Sequence, residues 1–164
     1  MNDDLEKIEA FLAHIGIGLH RRTLPDNTFL PGLELDRTGI FLDVEKLKYP
    51  GDILHEAGHL AVAPASQRDA IGTDQLVLPW PTEGEEIGAV LWSFAAARYI
   101  GLPLEVIFHP NGYKNDSDWL IEMFESGTYI GLPFLEWAGL ALSAPRAEAV
   151  GVPPFPHMLR WLRD

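Results

Sequence analysis

The sequence predicts an α+β fold in a single domain over residues 1–164: a small antiparallel β-hairpin, a motif-bearing helix, and a mainly helical C-terminal half. Three observations carry that prediction. Leu33 and Leu35 alternate with Glu34 and Asp36, and Ile40 and Leu42 resume the alternation after the turn Asp36-Arg37-Thr38-Gly39. Apolar residues recur at helical spacing near the N-terminus and again over residues 53–61. Thr82, followed three residues later by Glu85, has the spacing of a capping box.

Taken in order, the first helix spans about Asp3–His14, with Leu5, Ile8, Phe11, Leu12 and Ile15 as its apolar stripe and Gly16 and Gly18 ending it. A loop rich in proline and glycine leads to the hairpin. Pro50 and Gly51 then precede a helix for which Asp52 is the expected N-cap, and Pro64 forces its end. Residues 65–81 read as an irregular loop. The Thr82 helix runs to about Ile100 and stops at Gly101. Further helical segments are expected near 104–108, 118–125 and 133–142, with a last turn near 156–162. Trp80, Trp92, Trp119, Trp137 and Trp161 are core candidates. The nearly uncharged stretch 129–142 reads as a buried central helix; a partner-facing patch, which would favour homodimerisation, is the other reading.

Composition narrows the function. Hydrophobic residues make up 47% and charged residues 22% of the chain, as in a globular protein. A net charge of −12 repels phosphate backbones, and the basic residues form no cluster beyond Arg21-Arg22, so no nucleic acid and no anionic membrane surface is expected as a partner. The acidic surface mildly favours basic or neutral substrates. There is no cysteine, which leaves imidazoles and carboxylates to hold any metal. The N-terminus lacks the basic start and apolar core of a signal peptide, and the longest apolar stretch, 88–108, is broken by Arg98, Pro103 and Glu105. A cytoplasmic location without a membrane span is therefore expected.

The string His55-Glu56-Ala57-Gly58-His59 is the most informative feature. Residues four apart share a helix face, so both imidazoles can reach one ion, and Glu56 beside them can accept a proton from an attacking water. Ile53, Leu54, Ala57, Leu60 and Ala61 fall mostly on the other side. Gly58 costs about 1 kcal/mol of helix propensity relative to Ala, and a small residue there would let another element pack close. The alternative is an ordinary polar helix face.

A third ligand must come from elsewhere. Glu83, Glu85 and Glu86 cluster at the start of the next helix. Glu85 is wanted by the capping box, Glu83 lies in the solvent-prone first turn, and Glu86 comes just after that turn. Acidic residues at a helix start are also favoured by the macrodipole alone. Asp74, His109 and water remain as other sources. Tyr113, His109 and Arg98 are candidate donors to an oxyanion; Tyr113 lies in a glycine-containing loop that could cover a cleft. His14, His20 and His157 read as structural or solvated.

A hairpin, this motif helix, a loop and a helix opening Glu-x-Glu-Glu resemble a minimal zincin-like core, most similar to the ImmA/IrrE family of small metallopeptidases. The similarity covers about residues 33–100 and is carried by HEAGH; Gly88 stands where the family commonly has Asn. The resemblance implies Zn²⁺ held by His55, His59 and a Glu of the following helix, for which Glu86 lies in range at 27 residues after His59. The resulting expectation is a zinc-dependent hydrolase acting on a peptide or protein substrate, with Glu56 as general base and Tyr113 assisting. The competing expectation is a metal-binding regulatory or interaction module without turnover.

Overall fold

In the computed structural model, which describes residues 2–164, eight α-helices accompany a small three-stranded mixed sheet. Helix α1 (Asn2–Ile15) buries Leu5, Ile8, Phe11 and Leu12 and ends at Gly16, whose φ of 88° is left-handed. The expected hairpin forms from β2 (Leu33–Asp36) and β3 (Gly39–Leu42), with Leu35 opposite Ile40. Its buried face presents Leu33, Ile40 and Leu42 to the core.

The sheet is not purely antiparallel, however. Strand β1 (Leu19–Arg21) pairs parallel to β3, giving the order β1-β3-β2 with β2 at an edge. Three residues carry no readable alternation, and this pairing is made by tertiary approach. Gly18 and Gly39 allow it, since a Cβ on either would collide with the other segment's backbone.

Helix α2 (Gly51–Val62) carries the motif and packs chiefly on α4 (Glu83–Ile100). Asp52 is not its N-cap. Pro50 holds that position without a side-chain cap bond, and Asp52 lies buried in the first turn. Gly51 abuts the backbone of α5 (Leu104–Ile107), and Gly58 abuts α4 at Ala89, the close approach that its lost helix propensity permits. The capping box at Thr82 is complete, and Gly101, at φ 72°, closes α4.

The central helix is α4, not 133–142. Ala89, Leu91, Trp92, Phe94, Ala95, Ala96 and Ala97 are all buried, so between Gly88 and Ala97 the helix is enclosed on every side. The later segment forms only α7 (Leu132–Trp137), and Trp137 is 71% exposed beneath the Arg163 guanidinium. Trp119, on α6 (Ser117–Glu125), is likewise exposed rather than core. Trp92 is fully buried, its indole N–H donating to the Trp161 carbonyl at 3.0 Å. The expected loop 65–81 contains α3 (Ala65–Arg68). The expected turn near 156–162 is irregular, and α8 (Ala144–Val150), which buries only Ala147 and so shows no apolar stripe, precedes it. No helix among the described residues is long and apolar enough to cross a membrane.

Candidate metal centre

The contact of Gly58 with Ala89 sets the centre. Gly58 lies between the two motif histidines, and Ala89 is one turn beyond Glu86, so close packing of α2 on α4 carries the Glu86 carboxylate to both imidazoles. His55 Nε2 and His59 Nε2 are 3.1 Å apart. Glu86 Oε1 lies 3.4 Å from His55 Nε2, and Oε2 lies 3.2 Å from His59 Nε2. Ligand atoms about 2.0–2.1 Å from a tetrahedral zinc stand about 3.3–3.4 Å from one another, so the three groups have the spacing of one coordination sphere.

The protonation states agree with that spacing. Burial pushes His55 down to about 4; burial, with His55 beside it, pushes His59 down to about 3. Both imidazoles are therefore neutral near pH 7, as metal ligands must be. The Tyr113 phenol oxygen lies 3.2 Å from His55 Nδ1; the tautomer protonated there would donate to it and leave Nε2 as a bare lone pair. That lone pair faces a second imidazole nitrogen and a carboxylate. Two neutral imidazoles and a carboxylate converging in this way could share a cation between them, and the donor set fits Zn²⁺.

Glu56 lies beside this triangle. A carboxylate oxygen of Glu56 and ligand nitrogens of His55 and His59 all lie within 4.8 Å of one another. Burial first, then the charges of Asp52 and Glu86, push its carboxyl up to about 7. A carboxylate poised there can both take and return a proton near neutral pH. Glu86 is also raised by burial.

The remaining candidates separate clearly. Tyr113 is brought to the centre, but its hydroxyl meets the Nδ1 edge of His55, across the ring from Nε2; burial raises its phenol. Glu85 is spent on the capping box, and Glu83 stays in the first turn of α4. Asp74 accepts from its neighbour Gln75, away from the centre among the described residues. Arg98 faces Glu125 at 3.7 Å on another side of α4.

His109 is not a ligand. Its Nε2 meets Asp52 Oδ1 at 2.7 Å, and its ring stacks on Tyr49 at 3.8 Å and 13°. Desolvation raises the Asp52 carboxyl against the opposing pull of His109. This buried pair escaped sequence reading, although Asp52 sits one helical turn before His55 on the same face, which was a readable signal. His109 comes from a distant loop, and nothing local announces it.

A cavity of about 490 Å³ opens beside the centre, lined by His55, Glu86, Tyr113 and the Asp52–His109 pair. A second, of about 420 Å³, is lined by Glu56, Leu33, Glu34 and Leu35. Phe29 and Leu30 border both. Against this geometry, comparison with protein-family models, with curated proteins and with solved structures finds no match to the chain.

Proposed function

We propose that this chain is a zinc-dependent hydrolase of peptide bonds built on a zincin-like core similar to that of the ImmA/IrrE family. The observation that carries the reading is the triangle of His55 Nε2, His59 Nε2 and the Glu86 carboxylate at 3.1–3.4 Å with Glu56 at its side. His55, His59 and Glu86 would hold the metal. Zinc in that place supplies Lewis acidity toward a water and toward a carbonyl oxygen. Glu56 accepts the proton of the attacking water on its carboxylate and returns it to the leaving amine nitrogen. A purely structural metal site has no need of this carboxylate.

A peptide substrate is supported by β2. Apart from a single bridge from Leu30 to Leu33, the outer edge of this edge strand is unpaired among the described residues, and it borders the cavity that Glu56 lines. An extended chain finds backbone partners on such an edge. A cytoplasmic location suits this reading, since a cysteine-free chain needs no oxidising compartment.

One observation favours the second reading, a metal-binding module without turnover: the Tyr113 hydroxyl sits at the Nδ1 edge of His55, away from Nε2, and Arg98 faces Glu125, so neither is placed beside the three converging groups as an oxyanion donor. Zinc content by elemental mass spectrometry, with peptide-library cleavage by wild type and Glu56→Gln, separates the two. The hydrolase reading expects one zinc per chain in both proteins and cleavage in wild type alone, with a loss of roughly 100-fold or more in the variant. Bound zinc with no cleavage by wild type leaves the module reading.

A further inference from the structure

The cavity beside the metal centre holds two cations that the proposed chemistry leaves unused. The chain has only four lysines, at 7, 46, 48 and 114. Lys7 pairs with Asp3 at 3.0 Å and Lys46 with Asp26 at 2.9 Å. Among the described residues Lys48 and Lys114 have no carboxylate partner, and both line the cavity of about 490 Å³ that contains His55 and Glu86. With 24 acidic residues against 12 basic ones, partners for a lysine are plentiful on this surface. Two lysines without carboxylate partners at one cavity, beside Asp52 and Glu86, bring its lining to charge balance on a chain that is otherwise strongly acidic. The two acids that share the cavity are engaged elsewhere than with the lysines: Asp52 is buried against His109, and Glu86 is turned to the two imidazoles where it would hold the metal.

The backbone holds both lysines at this place. Lys114 has φ 54°, between Tyr113 at 54° and Asn115 at 69°, three successive left-handed residues without a glycine. Each such residue costs on the order of 1 kcal/mol, so the surrounding structure must impose the conformation. It does so through the Ser117 hydroxyl, which donates to the His109 carbonyl at 2.6 Å, and through the Asn111 amide, which donates to the Tyr49 phenol at 2.7 Å. The second bond, with the Tyr49–His109 stack, ties this loop to the segment that carries Lys48. Phe29, 96% exposed, stands at the rim of the same cavity.

We infer that this cavity binds the carboxylate of an acidic peptide, with Lys48 and Lys114 as its counter-charges and Phe29 as an apolar rest beside it. The inference builds on the peptidase reading and names its substrate class. It reverses the expectation drawn from overall charge: screening at physiological salt cuts interactions beyond about 8 Å, so the two local ammonium groups outweigh a net charge spread over the whole surface.

The test uses zinc-loaded Glu56→Gln protein, which holds a substrate without cleaving it, and fluorescein-labelled alanine-based hexapeptides. One carries Glu at each position in turn, a matched set carries Gln, and both sets are made with free and amidated C-termini. Fluorescence polarisation should give about tenfold tighter binding of a carboxylate-bearing peptide than of its neutral partner, weakening as salt rises. That difference should vanish in Lys48→Met/Lys114→Met and return in Lys48→Arg/Lys114→Arg, with circular dichroism confirming the fold of each. A preference that follows Glu over Gln identifies a side-chain carboxylate, and one that follows the free over the amidated end identifies the C-terminal carboxylate. Equal binding of all sets, or no binding, overturns the inference. Incubating the same peptides with wild type reports separately on the reaction: acid-selective binding without cleavage sinks the peptidase reading alone, and cleavage without acid preference sinks this inference alone.

Discussion

Gly58 of α2 lies against Ala89 of α4 so closely that a Cβ at position 58 would stand 2.8 Å from the Ala89 carbonyl oxygen and 3.2 Å from its Cα. Both are backbone atoms, which cannot turn aside as a flexible side chain would. The site depends on this contact, because α4 carries Glu86 to histidines that flank Gly58.

Gly58→Ala therefore pits two effects against each other. Alanine gains about 1 kcal/mol of helix propensity, while forcing the helices apart costs about 1–3 kcal/mol. The expected outcome is a protein no more stable than wild type that binds zinc at least tenfold more weakly, read by thermal melting and a chelator-competition titration. A variant that melts higher and keeps its zinc affinity would show that the contact does not set the site.

Removing ligands should have graded effects. His59→Ala leaves one imidazole and one carboxylate, and should abolish stoichiometric zinc. Glu86→Gln keeps a neutral oxygen donor and should weaken binding by roughly 10- to 100-fold rather than abolish it. Elemental analysis after dialysis against a weak chelator checks both; full zinc in His59→Ala would move the centre elsewhere.

Tyr113→Phe distinguishes holding a ligand from stabilising an oxyanion. The phenol oxygen lies 3.2 Å from His55 Nδ1, placed to accept from it when Nε2 holds a metal, and loss of such a partner behind a metal-bound histidine commonly weakens metal affinity by about 10- to 100-fold. The expected result is weaker zinc binding, with kcat largely restored when zinc is supplied in excess. A fall in kcat at saturating zinc, with affinity intact, would instead return Tyr113 to an oxyanion-donor role.

Acid should destabilise the metal-free protein through the two histidines. Their folded values, about 4 and about 3, lie below the usual 6.5, so between those limits the unfolded chain binds protons that the folded chain refuses. Their effect is absent above about pH 6.5 and grows as pH falls toward 4, at most about 1.4 kcal/mol per pH unit for each ring. Glu56, pushed up to about 7, acts in the opposite sense over about pH 4.5–7, and it stays in place when the histidines are replaced. Urea unfolding of chelator-treated wild type and of His55→Gln/His59→Gln should therefore show the double variant gaining on wild type as pH drops. Parallel stability curves would mean that the imidazoles are not desolvated as described.

What the sequence made readable was local. The hairpin of β2 and β3, the capping box of Thr82 with Glu85 and the helical spacing of His55 and His59 each depend on residues within a few positions of one another, and each formed as expected. Asp52 misled for the same reason: its place after Pro50-Gly51 suits a cap, and only the distant His109 draws it into the interior. Strand β1 escaped because parallel pairing with β3 is decided across some twenty residues by two glycines. Trp119 and Trp137 were expected in the core because bulk and hydrophobicity cannot say which side of a short helix faces solvent. The lysines at the cavity had no readable signal: Lys48 comes seven residues before His55, but nothing local links it to Lys114, 66 positions further on.

Position 86 has a consequence for how metal and fold are linked. The Glu86 amide donates to the Thr82 carbonyl at 2.8 Å, the first backbone bond of α4, and helix ends fray from that bond inward. Metal held through the Glu86 side chain would staple the opening turn of the central helix, and fraying of that turn would release the metal. Occupancy would then report on helix initiation: Thr82→Ala, which touches no ligand, should speed zinc dissociation, and bound zinc should slow hydrogen exchange at the amides of that first turn.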